Sequence, residues 1–110
     1  MAHTPRTSPA HDFVPEALIP SLPYIHVAQD ERFSGFDPML YLKLFTPDGR
    51  RTWYVAGYDR GTRFAYGLVI GAEREWGSFH IPELEAVRGP LGLPVERDLH
   101  FEPCFEGDLK

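Results

Sequence analysis

In a chain of 110 residues with a single cysteine and five histidines, few side chains can do chemistry. His26, His80 and His100 lie in the part that reads as ordered, but none belongs to an HxH, HxxxH or CxxC spacing. A metal centre takes three or four convergent ligands, and here Asp59, Asp98 or Cys104 would have to be recruited by the fold. These histidines therefore read as structural, and neither a metal nor a cofactor is expected. Ser78 falls in a strand without a glycine-flanked elbow, and Ser34 sits in a loop with no neighbouring base. Cys104 stands between Glu102 and Glu106, where negative charge disfavours the thiolate. Gly57, Gly61, Gly67 and Gly71 match neither a phosphate loop nor a dinucleotide fingerprint. Of the carboxylate pairs, Glu73 and Glu75 mark a turn, while Glu83 and Glu85 suit the positive end of a helix dipole. Glu96, Arg97 and Asp98 read as an ion-pair network that pins the neighbouring connector and reaches toward Arg88. Catalysis would need His80, His100 and the Glu96–Asp98 cluster in one pocket. No reaction centre assembles from the spacing, so the chain reads as a non-enzyme.

The stretch that positions most of these groups is HIPELEAVRGPLGLPVERDLHFEP, residues 80–103. Pro82 suits the start of a helix, since its missing N–H would have no partner there. Leu84 and Val87 share a face, and Arg88-Gly89-Pro90 is a stop signal. This predicts a helix of about two turns, too short to hold without packing. A stiff Gly/Pro connector follows, with Leu91 and Leu93 expected as buried anchors, and DLHFEP is predicted to return as a fifth strand. The side chains left for recognition are Arg88, Glu96, Arg97 and Asp98, joined by Trp53 and Tyr54 if the sheet has an open face. Rigid loops on a scaffold are common recognition sites.

The remaining elements follow from pattern. Residues 1–12 are polar and expected to be a disordered tail, with residues 13–110 forming one domain. Pro15 and Pro20 bracket a short helical turn before an extended LPYI segment, and Phe13, Leu18, Leu22 and Ile25 are expected across one sheet face. Residues 26–38 read as a surface loop. MLYLKLFT alternates Leu40, Leu42 and Leu44 with Tyr41, Lys43 and Phe45, a period of two. PDGR is a turn, and RTWYVAGY is the partner strand, with Trp53 and Val55 opposed to Tyr54 and Tyr58. FAYGLVIG and EWGSFHI continue as third and fourth strands. Strands in series with helices gathered at the ends mean an α+β fold, an antiparallel meander of four to five strands.

Charge narrows the function classes. The formal net charge is −5, so no chain-wide basic footprint for nucleic acid is present. Residues 32–63 carry six basic against three acidic side chains, and residues 94–110 five acidic against two basic. The middle arginines, Arg50, Arg51, Arg60 and Arg63, lie at hairpin ends. Beside Trp53 and Tyr54 they form the best case for single-stranded nucleic acid, a less favoured partner than protein. No apolar run approaches a membrane span, the N-terminus lacks a signal-peptide centre, and one cysteine fits a reducing cytoplasm.

KLFTPDGRRTWY, FAYGLVIGAEREWGSF and PELEAVRGPLGLPVERDLHFEP together resemble the bacterial domain-of-unknown-function family numbered 2958. The resemblance covers roughly residues 39–103 and is most distinctive in the RGPLGLP-x-ERD tail; Trp76 departs from it, standing where an aliphatic residue is usual. The resemblance implies carriage on plasmids and other mobile elements, and no established activity. The combined reading is a small cytoplasmic interaction module, an accessory factor with an unidentified host or plasmid protein as partner, acting for instance against host defence. Edge-strand pairing leaves a homodimer open.

Overall fold

A computed structural model describes residues 13–109; the tail expected over residues 1–12 lies outside the described residues. The two period-two hairpins form as their patterns dictate. Strands β1 (Leu42–Phe45), β2 (Thr52–Tyr58), β3 (Phe64–Ile70) and β4 (Arg74–His80) make an antiparallel meander, and β5 (Glu96–Arg97) joins the outer side of β1. The spatial order is β4-β3-β2-β1-β5. The fold is thus α+β around a five-stranded antiparallel sheet.

Each sheet face carries its own core. Phe13, Leu42, Leu44, Trp53, Val55, Tyr58, Ala65, Phe79, Ile81, Leu84 and Val95 pack on one; Ala28, Leu40, Tyr54, Ala56, Tyr66 and Leu68 on the other. Alternation alone would put Tyr58 with Tyr54. An irregularity between Val55 and Gly57 inserts a residue into β2, and the parity flips so that Tyr58 joins Trp53. Leu40 likewise parts company with Leu42 and Leu44. It bridges Cys104 and buries on the opposite face.

The first face is covered by the N-terminal segment, which includes a 3-10 turn over Glu16–Ser21, and by the chain after β4. Phe13 and Leu22 pack there, whereas Ile25 serves the other core and Leu18 is exposed. The expected shared face therefore splits.

On the second face the structure overturns a loop assignment. Residues within the predicted 26–38 loop form helix α1 (Ile25–Phe33), which packs on β2 and β3. Its N-cap, Tyr24, has no side-chain cap, and Ala28 is its one buried residue. What admits the helix is Gly57, where an added Cβ would meet the Tyr24 carbonyl at 3.0 Å and Ala28 Cβ at 3.2 Å. Two small residues let backbone lie against backbone.

Helix α2 (Ile81–Leu84) is one turn, not two. Glu85, Ala86 and Val87 donate instead to the carbonyls three residues back, which tightens the exit before the connector. Because β4 ends beside the β2–β3 turn, the chain must then cross the sheet's length to reach the β1–β2 turn and β5. DLHFEP is correspondingly not a strand: the fifth strand is Glu96–Arg97, and Leu99 and His100 lie in a turn after it. No helix of the described residues is long and apolar enough to cross a membrane.

Candidate interaction site at the connector

Asp48 is the residue that shapes the connector. It sits in the turn between β1 and β2, where Thr46 N donates to Arg51 O (3.0 Å), Gly49 N to Thr46 O (3.1 Å) and Arg51 N to Thr46 Oγ1 (3.2 Å). The turn projects the carboxylate into the Gly/Pro loop. Asp48 Oδ2 accepts from the backbone N–H of Leu91 at 2.6 Å and of Leu93 at 3.3 Å. Oδ1 is buried against Gly89 and takes no hydrogen bond from the described residues. The loop closes on itself as well: Gly89 N donates to Leu93 O and Gly92 N to Gly89 O, both 2.9 Å, with Gly92 at φ +87. That angle suits glycine and few other residues. Pro90 lies against Gly49, so the two loops form one unit.

This arrangement reverses the expected burial of Leu91 and Leu93. With their amides committed to Asp48 and Pro90 taking the packing contact, the two side chains turn outward. Leu91 is 81% and Leu93 45% exposed, and Leu99 is exposed beyond β5. Asp48, which the sequence marks only as a turn former, is the residue of this candidate site that sequence reasoning missed. The available signal was that a Gly-rich loop leaves amides in need of an acceptor.

The residues predicted for recognition divide into two groups. Arg88, Glu96, Arg97 and Asp98 do collect along the connector and β5. Arg88 Nη1 donates to the carbonyls of Glu85 (3.0 Å) and Val87 (2.9 Å), and Arg88 bridges Pro94. Glu96 and Arg97 pair with Phe45 and Leu44. Asp98 Oδ2 lies 3.7 Å from Lys43 Nζ, and Asp98 Oδ1 accepts from His100 N at 2.9 Å. Trp53 and Tyr54, by contrast, are 2% and 7% exposed and lie in opposite cores. Neither sheet face offers them as an open stacking surface; this corrects their place among the binding candidates. Burial, with the charge of Cys104 secondary, also pushes the Tyr54 hydroxyl's pKa up.

The basic hairpin ends are separated by the strand between them. Arg50 and Arg51 precede β2 while Arg60 and Arg63 follow it, so the groups stand roughly 20 Å apart at about 3.3 Å per residue. Arg51 lies over the Trp53 ring at 5.0 Å, Arg60 Nη2 donates to Glu16 at 3.1 Å, and Arg63 Nη2 to Glu85 at 3.4 Å. A side-chain bond to Tyr58, followed by the Glu85 charge, raises the Arg63 pKa.

The acid/base constellation is also dispersed. His80 ends β4, stacks on Phe64 at 4.5 Å and lies 3.0 Å from Thr62 O, whereas His100 follows β5 at the far edge. Four strand spacings separate those edges, about 19 Å. No group of three or more His, Cys, Asp or Glu converges as metal ligands among the described residues. The Cys104 thiol is pushed up in pKa by burial first and by Asp108 second. We therefore expect iodoacetamide to alkylate it at neutral pH about threefold or more slowly than a free cysteine. Equal rates in the native protein would contradict this environment.

A family model described as "Protein of unknown function (DUF2958)" matches residues 18–106. That span holds every strand, both α-helices and the connector. No curated protein and no solved structure matches the chain.

Proposed function

The chain belongs to the DUF2958 family of proteins of unknown function, and on that footing we propose that it is an interaction module that works by contact with a partner protein rather than by catalysis. The observation that carries this reading is the pair of exposed leucines, Leu91 and Leu93, on a loop whose backbone Asp48 holds fixed. A loop whose backbone is already ordered loses little backbone entropy on docking, so contact area turns into affinity more efficiently. Arg88, Glu96, Arg97 and Asp98 supply the polar rim around such an anchor. The mobile-element setting implied by the family resemblance makes a host-defence or plasmid-maintenance protein the first partner to test.

The test compares immobilised native protein with the Leu91→Ser/Leu93→Ser variant in a host-cell extract, at low and high salt. Both leucines are exposed enough that the variant should change unfolding stability by less than about 1 kcal/mol. The expected result is one stoichiometric protein captured by the native chain and lost by the variant, with salt sensitivity measuring the share carried by the rim. Capture that survives the double substitution sinks the connector as the contact surface. Recovery of nucleic acid alone moves the function to the arginine-bearing turns.

A further inference from the structure

A second surface lies on the face carried by α1 and the C-terminal tail, away from the core that the connector covers. After α1 the chain reverses through Gly35, at φ +89, and Phe36 N donates to Glu31 O at 2.8 Å. This folds Phe36 back beside the helix. The tail reaches the same place because Leu40 and Cys104 exchange backbone hydrogen bonds of 2.8 and 3.0 Å. Glu106 then anchors it to β4, accepting from Arg74 Nη1 at 3.0 Å and Trp76 Nε1 at 3.4 Å. Between helix and tail lies an open depression of about 770 Å³ lined by Glu31, Phe36, Asp37, Phe105, Gly107 and Asp108.

Its chemistry is asymmetric. Phe36 is 70% and Phe105 42% exposed, an aromatic floor that water covers poorly. Three carboxylates surround it, and none of its described lining residues is basic. Arg32, next to Glu31 on α1, and Arg74, which bonds the tail, are both engaged with other groups. Arg32 Nη1 donates to the Tyr66 hydroxyl at 3.2 Å and lies over Trp76, while Arg74 holds Glu106. The depression is too open to enclose a small ligand, which ordinarily buries most of its own surface. A chain segment that continues past the rim suits it better.

We propose that this depression docks a basic amphipathic peptide segment of a partner protein. Its apolar side chains would rest on Phe36 and Phe105, and its Lys or Arg groups would reach Glu31, Asp37 and Asp108. Cations can also lie over the two phenyl faces, so floor and rim favour the same occupant. This docking does not depend on the connector's role.

The probe is a labelled peptide of Lys and Leu at helical amphipathic spacing, titrated against the full chain, with oligolysine and a Glu/Leu peptide as comparisons. Amide shifts in a 15N spectrum locate the contact. We expect the Lys/Leu peptide to bind, with shifts concentrated at Glu31, Phe36, Asp37, Phe105 and Gly107. Phe36→Ser should weaken binding by about tenfold or more, and Asp37→Asn should weaken it less and reduce its salt sensitivity. Asp37 is exposed, so that variant reports even if Phe36→Ser disturbs the fold. No binding, equal binding of oligolysine, affinity unmoved by both substitutions, or shifts centred on residues 89–94 would each overturn the proposal. The last of these would leave the connector reading intact.

Discussion

Gly67→Ala is expected to destabilise the protein by about 3 kcal/mol or more, lowering Tm by roughly 15 °C. Gly67 lies mid-β3, opposite Val55, next to the irregularity that resets β2. There the Tyr54 carbonyl occupies the position a Cβ would take, with its carbon at 2.8 Å and Ala56 N at 3.1 Å. All three neighbours are backbone atoms of the central strand. Relief would require β2 and β3 to part, which breaks ladder bonds and opens both cores. Gly77 is the control, because it is Gly67's register partner on β4 yet has nothing within 4 Å of an added Cβ. Gly77→Ala should be neutral or stabilising by up to about 1 kcal/mol. Urea or thermal unfolding of the two variants checks the pair; similar midpoints would mean that β2 and β3 are not so closely apposed.

Asp48→Ala should cost about 2 kcal/mol, since two backbone N–H donors lose a charged acceptor. The loss is also local. The amides of Leu91 and Leu93 should lose most of their hydrogen-exchange protection, while those of β2 and β3 keep theirs. Asp48→Asn should fall between native and Ala, because one oxygen still accepts but the amide nitrogen meets the confined site beside Gly89. Unchanged exchange at Leu91 in Asp48→Ala would show that the carboxylate does not hold the loop.

The hairpins were legible because each carries a period of two between turn residues that admit few alternatives. PDGR could only be a reversal between LKLF and TWYV. Helix α1 was illegible for a physical reason: it buries Ala28 fully and Ile25 only in part, so its residues carry no apolar stripe to read. Its site is made by Gly57, about thirty residues away, and by the fit of one small residue on another. The two-residue β5 was misplaced because pairing chose Glu96-Arg97 against β1, while Asp98 N, still bonded to Lys43 O at 2.9 Å, led the chain into a turn. At the site, Arg88, Glu96, Arg97 and Asp98 were legible as a charged group near the connector. The outward turn of Leu91 and Leu93 was not. Leucines next to Gly and Pro look like core until the acceptor that claims their amides is known, and Asp48 lies 43 residues before Leu91.

The strand order has a further consequence. On one side of the sheet, β5 and the Leu40–Cys104 bridge occupy the outer edge of β1, and β5 is only two residues long. On the other side, β4 presents seven residues with no strand beyond it among the described residues. Among the described residues β4 is thus the longer of the two strand edges, and β5 the shorter. Two copies joined edge to edge through β4 would use up both long edges and leave the pair only its two-residue β5 edges, poor templates for further growth.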